Sequence, residues 1–213
     1  MKSFNKKTKA KYMKRLQNHY DADEIKKGFY WEDGKGCAVG CTIESKNEPH
    51  KAFEEELGIP APIAHLEDTI FEGLSNGDAK KFPLRFLEAV PVKTDLSQVI
   101  PRFLVWLMKD LEKVTEPRSD QRKALQTVRK LYERRLAGET VPDEEFRAAA
   151  DDADAADAGA AAYAAYAAYA ADAAAAAAAA RAYAAAARGK QYKKMSNKLI
   201  EILETEVGVL SYE

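Results

Sequence analysis

Cysteine, tryptophan and glycine are scarce in this 213-residue chain, with 2 Cys, 2 Trp and 11 Gly. Two cysteines cannot build the disulfide framework of a small secreted scaffold, and so few glycines exclude a collagen-like repeat. An excess of charge of one sign is lacking as well: 33 Lys and Arg stand against 34 Asp and Glu, a formal net charge of −1. That balance points neither to nucleic acid nor to a membrane surface. Long runs of large apolar side chains are missing. The one extended run of nominally hydrophobic type is alanine, broken by Asp172 and Arg181, and alanine is too weakly hydrophobic to drive membrane insertion. No apolar stretch follows the basic start, so no secretory signal is expected, and a reducing cytoplasm is the expected location.

What the chain does have is uneven. Of its 39 alanines, 29 fall between Ala148 and Ala187, so two compositions are joined in one chain. The expected organisation is a globular helical domain with a Gly/Cys hairpin over residues 1–139. An Ala-rich helical array over residues 140–213 packs on it. The fold class expected is mainly α, a multi-helix bundle with a small Gly/Cys-rich β-hairpin near residues 28–45 and a long Ala-rich helical array.

The pattern behind that expectation is helical almost throughout. Lys6 to His19 reads as a helix with a basic solvated face and Phe4, Tyr12, Met13 and Leu16 inward. Ile63, Leu66, Ile70 and Phe71 form an amphipathic stripe closed by Gly73. Pro83 is expected to open a short helix ending at Val90. Asp95 to Val114 carries the richest apolar helix, kinked or broken at Pro101. Asp120 to Leu136 follows, and Thr140-Val141-Pro142-Asp143 starts the next. Gly28 to Ser45 differs: aromatic, small and β-branched residues around Glu32-Asp33-Gly34 argue for an extended hairpin or tight loop rather than a helix.

Within the alanine region the larger side chains recur every third residue, at Asp151, Asp154, Asp157, Tyr163, Tyr166, Tyr169, Asp172 and Arg181. On a 3.6-residue helix that spacing spirals around the axis instead of forming one stripe. Between Gly159 and Gly189 an uninterrupted helix would run about 44 Å, and its methyl surface would let a partner helix approach closely. Packing tyrosines are one reading of the array. The other is a groove in which Tyr163, Tyr166, Tyr169 and Arg181 hold a planar ligand.

Three constellations could carry chemistry. Lys35, Gly36, Cys37, Gly40, Cys41 and Thr42 form a glycine-rich turn whose amides could face an anion, although the spacing is not that of a P-loop. Cys37 or Cys41 could act as a nucleophile with His50 or His65 as base. His65, Asp68 and Glu72 share a helical face and could work as an acid–base set or bind a metal. The bland alternatives are a tight turn packed by small thiols and the polar side of an amphipathic helix. No metal and no cofactor are expected, because the C-x₂-C and H-x₃₋₅-H spacings are missing.

The run Gly34-Lys35-Gly36-Cys37-Ala38-Val39-Gly40-Cys41-Thr42 bears on identity. So do Leu57-Gly58-Ile59-Pro60, Leu66-Glu67-Asp68, Ile70-Phe71-Glu72-Gly73-Leu74 and Ala89-Val90-Pro91-Val92. Together they resemble a family of uncharacterised bacterial and phage proteins with alanine-rich C-terminal repeats. Relatives tend to carry Ser and Trp within those repeats, where this chain has Asp, Tyr and Arg. Residues 120–187 are also similar in style to the Ala-rich, all-helical immunity proteins of bacterial polymorphic toxin systems. Neither resemblance implies a catalytic residue. They imply a non-catalytic binding protein of bacterial conflict that sequesters a nucleotide-like small molecule or a protein toxin. A homo-oligomer built through the Ala-rich helices, or a cysteine-dependent enzyme, is the alternative.

Overall fold

A computed structural model describes residues 4–169, 175–186 and 191–207; within those stretches the side chains of residues 166–169, 176, 177, 184–186 and 206 are not described. The fold is mainly α: eleven helices and one two-stranded antiparallel hairpin among the described residues. The chain forms two compact units, Met1–Val99 with Tyr192–Glu213, and Ile100–Gln191.

The first unit starts with α1 (Lys6–Asp21), capped by Asn5, whose side chain accepts from the amides of Lys7 and Thr8 at 3.0 Å. The hairpin follows as β1 (Trp31–Glu32) and β2 (Lys35–Gly36), pairing Glu32 with Lys35. Asp33 and Gly34 turn it with φ of 46° and 79°, the two positive values that a type I′ loop demands and that Asp-Gly accommodates.

Immediately afterwards the expected extended arm is instead helix α2 (Ala38–Ile43), buried along its whole length. Local hydrogen bonding overrides the β-branched composition. The Cys37 sulfur accepts from the Gly40 amide at 3.4 Å and so acts as N-cap, and the Thr42 hydroxyl donates to the Ala38 carbonyl at 2.8 Å. Glu44, left-handed at φ 59°, ends the helix.

Helices α3 (Pro49–Leu57), α4 (Ala61–Gly73) and α5 (Asn76–Ala89) pack in sequence, and α11 (Tyr192–Glu201) returns onto α4 and α5. Their core includes Phe53, Phe82 and Phe86, with ring centroids 6.5 and 6.3 Å apart, and Leu57, Ile63, Leu66 and Met195. Pro83 lies inside α5 rather than at its start. The true start is Ser75, whose hydroxyl caps the Asp78 amide. The interior proline forfeits one hydrogen bond at a cost of ~3 kcal/mol, while the helix buries Phe82, Phe86 and Leu87 around it.

The second unit holds α6 (Val99–Glu112), α7 (Asp120–Leu136), α8 (Asp143–Ala155), α9 (Gly159–Tyr169) and α10 (Ala175–Ala186). Pro101 falls in the first turn of α6, where its missing N–H costs nothing, so the helix starts just before it. The alanine region is not one long helix: α8 packs on α9, and α9 on α10. Ala161, Ala164, Ala165, Ala179 and Ala180 are completely buried. Small side chains permit that close approach. Asp151, Asp152, Asp154 and Asp157 face solvent. Tyr183, off the three-residue spacing, is buried in the core; its hydroxyl donates to Asp110 at 2.6 Å and its ring lies 5.8 Å from that of Trp106. No described helix is long and apolar enough to cross a membrane.

Candidate functional site: an aromatic hairpin over a buried polar cluster

The Gly/Cys segment and the histidines meet in the first unit. The backbone of Tyr30 lies directly on two glycines. A methyl at Gly40 would stand 2.5 Å from the Tyr30 carbonyl carbon, and one at Gly36 would stand 2.9 Å from it. The distinctive glycines therefore serve a close backbone approach. The Cys37 amide donates to the carbonyls of Phe29 and Tyr30 at 3.0 and 3.2 Å, and the Gly36 amide donates to Glu24 at 3.2 Å. With the Gly40 amide on the Cys37 sulfur, these three donors are engaged within the protein.

Held this way, the hairpin presents Phe29 and Tyr30 to solvent, 39% and 42% exposed. Beside it is an open groove of about 670 Å³ lined by Phe29, Tyr30, Trp31, Glu32, Asp33 and Glu44, with Ser45 and Lys46. The Trp31 ring meets the edge of His19 at 5.3 Å. His19 is itself clamped between Glu24 at 2.6 Å and Glu44 at 3.2 Å. Arg15 pairs with Glu44 at 3.1 Å and donates to the Thr42 carbonyl at 2.8 Å, placing a cation at the C-terminal end of α2.

Behind the hairpin, the Tyr30 ring stands edge-on to His50, with centroids 5.4 Å apart. His50 stacks on His65 at 3.7 Å, and its Nε2 is 3.3 Å from Asp68. That approach lacks hydrogen-bond geometry: His50 Nε2, Asp68 Oδ1 and Glu67 Oε2 are buried without a hydrogen-bond partner. Glu67 is completely buried, and desolvation, reinforced by Asp68 and Glu72, holds its carboxyl well above the usual range. Burial also raises Glu72, against the opposing Gly28 amide, which donates to it at 3.0 Å.

Both thiols are buried. Burial first, and then the neighbouring Asp68 carboxylate, push the Cys37 thiol far up; burial raises Cys41 to about 12 against the Gly36 backbone contact. The Cys41 thiol donates to the Gly36 carbonyl at 3.2 Å.

Sequence reasoning brought Cys37, His50, His65 and Asp68 forward, and the fold gathers them. Lys35 is exposed on β2, whereas Gly36, Cys37, Gly40, Cys41 and Thr42 are buried. Tyr163, 45% exposed, and Arg181, also exposed, belong to the second unit. The side chains of Tyr166 and Tyr169, and all of Asp172, lie outside the described residues. Glu67 was missed, although Ile63, Leu66, Glu67 and Ile70 fall at i, i+3, i+4 and i+7, which puts the acid on the core stripe. Among the described residues no three His, Cys, Asp or Glu side chains are placed to hold a metal ion. No known protein family, curated protein or solved structure matches the chain.

Proposed function

We propose that the chain is a non-catalytic binding protein of bacterial conflict, of the phage counter-defence or immunity type, that acts by sequestering a partner. The observation that carries the non-catalytic reading is the order of groups around Cys37. A cysteine nucleophile needs an imidazole against the thiol and a carboxylate behind the imidazole. Here burial raises the thiol first and Asp68 raises it further, while His50 Nε2 lies 3.3 Å from Asp68. The same groups in this order suppress the thiolate.

The binding half of the reading is supported by Phe29 and Tyr30, large aromatic side chains left in solvent by a hairpin whose backbone is tightly held. Exposed aromatic surface on a rigid support is a common binding feature. The assignment to conflict rests on the motif resemblance over Gly34–Thr42. The partner is a protein toxin or a nucleotide-like molecule in the cytoplasm, and self-association through the alanine helices is compatible with either.

The test is protection, of bacteria against a co-expressed toxin or of phage against host defence, by the chain and by its Cys37→Ser, Cys41→Ser double variant, with folding checked by circular dichroism. Equal protection by the folded double variant is the expected result. Its loss would make one of the thiols a nucleophile.

A further inference from the structure

The groove beside the hairpin carries a chemistry of its own. Three aromatic rings line it, and Glu32, at the end of β1, and Asp33, in the turn, add two exposed carboxylates. Among the described residues neither carboxylate has an ion-pair partner within 4.0 Å. Glu44, the third acid, is already neutralised by Arg15 and lies against His19. Lys46 is the one cation among the lining residues. Aromatic faces attract a guanidinium or ammonium through the ring quadrupole, by about 0.5–2 kcal/mol depending on desolvation, and free carboxylates add to that attraction. Phosphates are disfavoured by the same carboxylates.

The aromatic surface is also organised in advance. Gly36 and Gly40 seat the Tyr30 backbone, His50 backs the Tyr30 ring and His19 the Trp31 ring. A surface already fixed in its binding shape loses little entropy on association. We infer that this groove receives a cationic segment of a protein partner, an arginine or lysine side chain laid on Phe29 and Tyr30 between the carboxylates of Glu32 and Asp33. The inference rests on the binding reading above and selects the protein partner over the nucleotide-like one.

Calorimetry of the full chain with a hexa-arginine peptide tests it, with the Trp31 indole resonance followed by NMR in parallel. Saturable binding that shifts the Trp31 resonance is expected. It should weaken about tenfold in a Glu32→Gln, Asp33→Asn variant and again in Tyr30→Ala. The turn change suits the fold, since Asn tolerates the positive φ of Asp33. Absence of saturable binding, or equal affinity in the loop variant, would overturn the inference. ATP shifting Trp31 where the peptide does not would also overturn it, while leaving the chain a binding protein. Self-association in light scattering that the loop variant abolishes would assign the groove to a second copy, whose α1 exposes Lys6, Lys7, Lys11 and Lys14, and would overturn it too.

Discussion

Replacing Gly40 by Ala tests the central packing of the first unit. The added methyl would lie 2.5 Å from the Tyr30 carbonyl carbon and 3.3 Å from its Cα. Real Cβ contacts are not seen below 3.0 Å, and the obstacle is backbone, which cannot rotate aside as a side chain would. The hairpin must therefore lift off α2. Overpacking of this kind costs about 1–3 kcal/mol. Lifting Tyr30 also weakens the Cys37 amide contacts to the Phe29 and Tyr30 carbonyls, each worth about 1 kcal/mol. The sum is ~3–5 kcal/mol, a large part of a typical domain's 5–15 kcal/mol. Urea denaturation followed by circular dichroism measures it, with Gly77→Ala as the control. Nothing lies within 4 Å of a methyl at Gly77, so that change in α5 should be neutral or stabilising by up to ~1 kcal/mol. A Gly40→Ala protein within about 1 kcal/mol of the parent, with hairpin amides still protected from exchange, would refute the account of these glycines.

Other consequences follow from individual buried groups. Burial holds the Glu67 carboxyl well above 4.5 in the folded chain, so as pH rises past 4.5 the folded state keeps a proton that the unfolded state releases. Its contribution is complete below pH 4.5 and is lost as pH rises towards the folded value, at ~1.4 kcal/mol per pH unit. Glu67→Gln should remove that slope and gain stability at neutral pH, as measured by denaturation between pH 4 and 8; identical slopes in the two proteins would contradict it. Removing the Tyr183 hydroxyl with Tyr183→Phe leaves Asp110 without its 2.6 Å donor. A loss of ~1–3 kcal/mol is expected, and a thermal melt unchanged from the parent would exclude a structural role for that bond.

The helical class and most helix positions were legible because apolar spacing reports which face is buried. The Asp33-Gly34 turn was legible because its two positive φ values suit those residues. Helix α2 was not. Its β-branched and small residues carry no helical period over six positions, and the cap that nucleates it is a thiol. Pro83 misled because tertiary burial of Phe82 and Phe86 sustains a helix that local rules would end. The alanine region concealed its division into α8, α9 and α10, since alanine carries the same helix propensity throughout and no apolar stripe marks where one helix turns back on another. Sequence spacing offers Cys37 or Cys41 with His50 or His65 only as one alternative beside a packed tight turn. What those residues do depends on Asp68 meeting both Cys37 and His50, a fact of three-dimensional order that spacing along the chain does not encode.

The alanine seam of the second unit has a consequence for how uniquely it can be assembled. Where one helix face offers only methyl groups to another, sliding either by a turn replaces each contact with an identical one. Such a seam carries almost no positional information. That information must come from the few unlike side chains. Tyr132 donates to the Ala164 carbonyl at 2.6 Å, and Tyr183 fixes α10 to Asp110 of α6. Among the described side chains, these two phenols act as pins, one holding α9 to α7 and the other α10 to α6. Losing both would yield a mixture of slipped arrangements of similar energy rather than a simple loss of stability.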